Sequence, residues 1–230
     1  MNDKDLDELS KKIGYRFHDS TLLRRALTHS SYANEHGLPY NANNERLEFL
    51  GDAFFDAVIS EKLCSILQQE EEGNLSKLRA SIVCEESLIR KAEELGLSGY
   101  VLLGNGEVRN TRLFGHKAYE ADALEAVFGA VFLDGGYEEV RRVVIGLFRD
   151  IIDDGLQGRL RKDYKSLLQE KLQSGGHAQI EYEIIDEQGP DHSKTFFAVV
   201  KYQGNIIGSG SGKSKKNAEQ DAAKKALSAI

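Results

Sequence analysis

Apolar residues recur at helical spacing through the first two thirds of the chain and at alternating spacing only in the last third. Leu6, Leu9 and Ile13 make one such series, and Asp19 or Ser20 stands as a cap before Leu22, Leu23, Ala26 and Leu27. A long helix is predicted from about Asn44 to Leu67. "GNLSKLRASIV" and "CEESLIRKAEELG" read as two more, the second ended by Gly96. "GNGEVRN", rich in glycine and asparagine, reads as a loop, and further helices are predicted at 117–133 and 137–153. Pro39 and Pro190 are the only prolines and fall in predicted loops, so the helices run without kinks. The glycines and charges of Asp153–Lys162 interrupt the pattern, and residues 154–161 are predicted to be a linker. Beyond it "DYKSLLQEKLQSGG" reads as a helix, "QIEYEIID", "KTFFAVVKYQ" and "NIIGSGSG" as strands, and "SKKNAEQDAAKKALSAI" as a closing helix. The predicted fold is an all-α domain over residues 1–153, then a small α+β domain over 162–230 of order α-β-β-β-α, with two helices on one face of an antiparallel sheet.

Composition changes this picture in one respect. The net charge of −7 argues against a polyanionic partner, but the average conceals a division. Residues 161–230 hold 11 Lys and Arg against 9 Asp and Glu, a net of +2, which leaves −9 for residues 1–160. Two modules with different tasks are implied. No apolar run approaches the roughly 20 residues of a membrane span, and the acidic start has no signal-peptide core, so a cytoplasmic protein without a membrane partner is expected. Cys64 and Cys84 lack neighbours at metal-ligand spacing and read as two buried, reduced thiols.

The candidate chemistry lies in "NERLEFLGD". On a helix, Glu45, Glu48, Asp52 and Asp56 fall within an arc of roughly 80°. Leu47, Phe49, Leu50, Ala53, Phe54, Phe55, Ala57, Val58 and Ile59 cover most of the rest, so the helix is expected to be buried on every side but the acidic one. Such a stripe could simply face water or pair with Arg46 and Arg79. A second pair, Asp122 and Glu125 in "EADALEA", shares one face of another helix among small apolar residues that permit close approach. Carboxylates from two helices meeting in one cleft form a Mg²⁺ site pattern suited to phosphoryl chemistry. No rival constellation is present. His29 reads as a structural or hydrogen-bonding histidine, Lys117 as a solvated side chain, and "GNGEVRN" lacks the ending of a phosphate loop.

These residues resemble the bacterial ribonuclease III family. "NERLEFLGDA" is similar to its signature, "ADALEA" to its second acidic motif and "EEEGNLSKLRA" to the segment between them. "LLQEKLQ", "GPDHSKTF" and "GSGKSKKNAEQDAAKKAL" resemble a double-stranded RNA-binding domain. The resemblance implies that Glu48, Asp52, Asp122 and Glu125 bind metal, with Asp52 and Glu125 the most sensitive catalytic positions. It implies accessory roles in the catalytic valley for Glu45 and Glu72, and a homodimer with Phe49 at its contact. Two stretches depart from the family pattern: Ala118-Tyr119-Glu120-Ala121 ahead of Asp122, and Asp163-Tyr164 where Asp-Pro commonly opens the tail helix.

A-form RNA shows 2′-hydroxyls across a shallow minor groove and hides its bases in a deep major one, so its reader needs polar groups and cations. Lys213, Lys215 and Lys216 cluster at the predicted start of the last helix, whose N-terminus itself attracts phosphate. Gln169 and His192 match the family's minor-groove contacts, with Lys194 assisting. The expected activity is a Mg²⁺-dependent endoribonuclease, with Mn²⁺ as a possible substitute. It is expected to cleave double-stranded RNA to 5′-phosphate and 3′-hydroxyl ends, above all in ribosomal precursors. The alternative is a double-stranded RNA-binding protein on a nuclease scaffold that does not cut.

Overall fold

The computed structural model describes residues 3–115, 117–160, 164–173, 180–189 and 194–229. The chain divides into two compact units, Met1–Leu160 and Arg161–Ile230. The first is helical, and its organising element is α8, Ala118–Gly135. From Tyr119 to Val131 all but Asp122 and Glu125 are buried, which makes α8 a central helix rather than a one-sided surface helix. Around it lie α1 (Asp3–Ile13), α2 (Ser20–Ala26), α4 (Glu45–Ile66), α5 (Glu72–Ile82), α6 (Glu85–Leu95), α9 (Tyr137–Leu147) and α10 (Arg149–Leu156). The short α3, Ser30–Glu35, lies between α2 and α4.

Local chemistry sets several boundaries. Asp19 caps α2, its carboxylate accepting the Thr21 N–H at 2.9 Å. Gly96 ends α6 at φ 66°, a conformation that penalises any side chain. Asp134, late in α8, accepts hydrogen bonds from Tyr15 Oη (2.8 Å), His18 N (2.7 Å) and Asp19 N (2.9 Å). Those donors hold its carboxyl below the usual range against the upward push of burial.

Two boundaries differ from expectation. "GNGEVRN" is not a loop: α7 runs from Asn105 to Phe114. Its first turn is satisfied by Glu35, whose carboxylate accepts Asn105 N at 2.9 Å and Gly106 N at 3.3 Å. The capping group is distant in sequence, so no local signal announces the helix. The single helix expected at 137–153 is two, broken at Phe148. Phe148 is fully buried, with its ring 4.6 Å from that of Phe55 and 6.1 Å from that of Phe128. Core packing holds the chain there, two residues after Gly146 and without a proline. Helix α10 continues to Leu156, and Leu160 packs on the core, so part of the stretch read as linker belongs to the first unit.

Two further expectations are corrected. Cys64 is exposed and Cys84 half-buried, so neither thiol is a core residue. Nor is α4 buried on every side but the acidic one: Phe49, Ala53 and Ala57 face outward, Phe49 at 79% exposure.

The second unit is α11 (Tyr164–Gln173), β1 (Ile180–Gln188), β2 (Thr195–Tyr202), β3 (Asn205–Gly212) and α12 (Lys215–Ala229). The sheet is antiparallel in the order β1-β2-β3. Gln203 and Gly204 turn β2 into β3 with φ of 50° and 80°, the left-handed pair that a two-residue hairpin favours. Leu168 of α11, Ala198 and Val200 of β2, and Ala218, Ala222, Ala223 and Ala226 of α12 form the core. The alternate glycines of "GSGSG" have a packing reason. A Cβ on Gly210 would lie 2.1 Å from Ala222 N, and one on Gly208 would lie 2.6 Å from Ala222 O. Glycine on the strand and alanine on the helix let α12 lie directly on β3. Among the described residues of both units, no helix is long and apolar enough to cross a membrane.

Candidate metal centre and nucleic-acid interface

Helices α4 and α8 cross at a pair of glycines. A Cβ on Gly51 would lie 1.7 Å from Glu125 O, and one on Gly129 would lie 2.1 Å from Leu47 O. The backbones therefore touch, closer than any side chain allows, and the acidic residues flanking the crossing are forced together. Glu48 lies one turn before Gly51, and Asp122 and Glu125 lie two turns and one turn before Gly129. One carboxylate oxygen from each of Glu48, Asp122 and Glu125 comes within 4.8 Å of the others. All three side chains are half-buried. Asp52 is exposed and stands outside this tight group. Of the accessory pair, Glu45 is exposed and accepts from Asn43 Nδ2 at 3.1 Å, and Glu72 opens α5, accepting from Ser76 Oγ at 2.6 Å.

The cluster is electrostatically unhappy as an isolated set of acids. Burial, followed by the charges of Asp52, Asp122, Glu48 and Asp56, pushes the Glu125 carboxyl up to about 8. Burial also raises Glu48, with Asp122, Glu45 and Asp52 adding to it. Asp122 is raised by burial and by Glu85, and His29 draws it back down. Arg79, hydrogen-bonded to Ser60 Oγ at 3.0 Å, opposes the burial of Asp56 at the far end of the stripe. Half-buried oxygen donors, short of positive charge and converging from two helices, fit a hard divalent cation.

Sequence reasoning missed how His29 is held. Its Nδ1 lies 3.2 Å from the donating Ser31 N–H and 2.8 Å from Ser31 Oγ, which in turn accepts the Gly104 N–H at 2.9 Å. Nδ1 is thus the acceptor of the Ser31 N–H that opens α3. The preceding Thr28 O accepts the Asn44 N–H at 2.9 Å, fixing the start of α4. Residues 28–31 join the start of α4 to the start of α7 and bring an imidazole to bear on Asp122.

A ribonuclease-III-like family model matches residues 19–151, and a model of the double-stranded RNA binding motif matches residues 164–230. Ribonuclease 3 of Caldanaerobacter subterraneus subsp. tengcongensis is 49% identical over 228 residues, spanning 98% of each chain. The chain belongs to the ribonuclease III family. Ribonuclease 3 of Pelotomaculum thermopropionicum is 47% identical over 95% of this chain and 90% of that one. The nuclease domain of ribonuclease III from Campylobacter jejuni has a crystal structure that matches with a TM-score of 0.57 and 38% identity, over 64% of this chain and 96% of that one.

Two further surfaces of this ribonuclease III-family chain bear on function. Beside the acidic face, Phe49, Tyr40 and Leu133 are exposed and border a hollow that Arg25, Arg46 and Leu50 also line. In the second unit, Gln169 is exposed on α11, and Lys213, Lys215 and Lys216 are exposed at the start of α12. Lys194 is half-buried ahead of β2. His192 lies outside the described residues. The family departure at Glu120 is a burial: the residue is 3% exposed, Tyr119 Oη donates to Oε1 at 3.3 Å, and burial raises its carboxyl above the usual range.

Proposed function

We propose that this chain is a Mg²⁺-dependent endoribonuclease that cleaves double-stranded RNA as a cytoplasmic homodimer, with Mn²⁺ able to substitute. Its products carry 5′-phosphate and 3′-hydroxyl ends, and its substrates are structured RNAs, including ribosomal and messenger precursors. The observation that carries the reading is the convergence of Glu48, Asp122 and Glu125 within 4.8 Å of one another. They do so in a chain whose second unit matches a double-stranded RNA binding motif.

A divalent cation bound by these carboxylates supplies the positive charge that lowers the pKa of a water and steadies negative charge on a phosphodiester. The chain's own residues do the rest. Glu48, Asp122 and Glu125 present ligand oxygens from half-buried positions where water competes poorly. Asp52, exposed beside them and close enough for its charge to act on Glu125, would complete the metal-binding set from the rim. Glu45 and Glu72 extend the acidic face toward substrate and partner subunit. Lys194, Lys213, Lys215 and Lys216 engage phosphates, and Gln169 and His192 reach the minor groove. Two copies meeting through Phe49, Tyr40 and Leu133 cover an apolar surface and offer one acidic site to each strand of a duplex.

The pH dependence tests the assignment. Without a cation Glu125 keeps its proton up to a pH of about 8, and to act as a ligand it must give that proton up. At limiting Mg²⁺, cleavage of a labelled duplex rises as pH climbs toward about 8, and saturating Mg²⁺ moves the rise to lower pH. In EDTA there is binding and no cleavage. The stability of the metal-free protein has the opposite slope. The folded state holds a proton that the unfolded chain releases near 4.5, so this group's contribution falls as pH rises from 4.5 toward 8. A rise in rate that ignores Mg²⁺ concentration would contradict the assignment.

A further inference from the structure

At one corner of the second unit, β1, β2 and α12 meet in a set of ion pairs that phosphate binding does not explain. Glu187, near the end of β1, stands opposite Phe196 of β2 in the ladder. Its Oε1 lies 3.3 Å from Lys215 Nζ, and its Oε2 lies 3.6 Å from Lys194 Nζ. Lys215 Nζ also sits over the Phe196 ring, 5.8 Å from its centroid. Beside them Lys213 Nζ reaches Thr195 Oγ1 at 3.4 Å. Lys216 makes no ion pair among the described residues. One carboxylate thus stands between two of the cations assigned to phosphate, and each of its oxygens faces a different lysine.

The fold does not require an acid at this position. The Glu187 side chain is 38% exposed, at the end of a strand whose last four residues all face solvent. Exposed ion pairs of this kind contribute little to stability. Their effect on binding is larger, because a phosphate approaching Lys194 and Lys215 meets a like charge already in place. We infer that Glu187 is a resident counter-anion that occupies the phosphate position in the free protein and is displaced when duplex RNA binds. It therefore sets the affinity of the RNA-binding surface. The inference rests on the reading of Lys194 and Lys215 as phosphate ligands. It also has a rationale in the reaction: the products of cutting a duplex are shorter duplexes, and an enzyme that held phosphate with its full cationic strength would release them slowly. A carboxylate that returns to the lysines as each phosphate leaves favours release.

The test uses the full chain in EDTA, so that nothing is cut, with a labelled RNA duplex of about 16 base pairs, one domain footprint. Binding is followed by fluorescence anisotropy across a range of KCl concentrations. Glu187→Gln binds about two- to fivefold tighter than the parent at low salt. Its log–log salt slope steepens by up to about 0.9, the value of one added phosphate contact, and the gain vanishes at high salt. Glu187→Asp, which keeps the charge, binds like the parent. Lys215→Gln weakens binding, and adding Glu187→Gln to it recovers less than the gain seen in the parent. If Lys215→Gln weakens binding while Glu187→Gln leaves it unchanged or weaker, Glu187 is not a competing anion and the inference is overturned. If Lys215→Gln has no effect, the phosphate reading of Lys215 fails, and the inference fails with it.

Discussion

Glu125→Gln leaves duplex binding intact and lowers cleavage by about a thousandfold or more. The size follows from what a bound cation contributes, several kcal/mol of charge stabilisation at the phosphodiester, and about 4 kcal/mol is a factor of a thousand in rate. Glutamine has the shape of the protonated carboxyl that Glu125 already holds near neutral pH, when its pKa stands at about 8. The substitution therefore adds no strain, and above a pH of about 8, where the parent carboxyl is ionised, it also removes repulsion from Asp52, Asp122 and Glu48. The metal-free variant keeps the unfolding midpoint of the parent or exceeds it. Stopped-time cleavage of a labelled duplex, gel-shift binding in EDTA and a thermal melt together separate the roles. A variant that cuts at the parental rate would remove Glu125 from the metal site, and one that melts early would make its role structural.

Gly51→Ala is expected to be the most damaging single methyl group in the protein. The added Cβ would lie 1.7 Å from Glu125 O, 2.6 Å from Glu125 C and 2.9 Å from Gly129 N, and all three are backbone atoms of a buried helix. No rotamer can move aside, so α4 and α8 must separate. Overpacking of ordinary side chains costs about 1–3 kcal/mol, and a clash with fixed backbone belongs beyond that range. At roughly 2–4 °C per kcal/mol for a domain of this size, the midpoint falls by about 10 °C or more. Whatever folded protein remains has its carboxylates apart and binds Mg²⁺ weakly. Gly146 gives the control: a Cβ there meets nothing within 4 Å, so Gly146→Ala on α9 leaves the midpoint unchanged or raised. Equal melting of Gly51→Ala and the parent would mean that the two helices do not touch at that point.

The two acidic motifs were legible because a helix projects residues three and four apart onto one face, and four acids among so many apolar residues break the usual division of a helix surface. The α-β-β-β-α order of the second unit was legible from the change of period. The glycine crossing was not. "LGDA" and "FGAV" each contain a small residue inside a helical pattern, and only the approach of the other backbone shows what the missing side chain permits. Helix α7 was hidden because its cap is Glu35, and the break at Phe148 was hidden because core packing holds the chain there. The outward face of α4 misled for a related reason. Phe49, Ala53 and Ala57 count as apolar in any pattern, yet within one chain nothing covers them. Under the homodimer contact we propose through Phe49, a surface covered by a second copy reads, in sequence, like a core. His29 was read as a hydrogen-bonding histidine, which its partners bear out, while its influence on Asp122 needed coordinates.

The most direct test of the account is a crystal of the full chain grown with Mn²⁺, read by anomalous scattering. The predicted result is a manganese peak between α4 and α8, within the roughly 2.0–2.6 Å span of hard-cation–oxygen contacts from Glu48, Asp122 and Glu125. Manganese held elsewhere, with those three carboxylates bare in protein that still cuts duplex RNA in the same buffer, would contradict it.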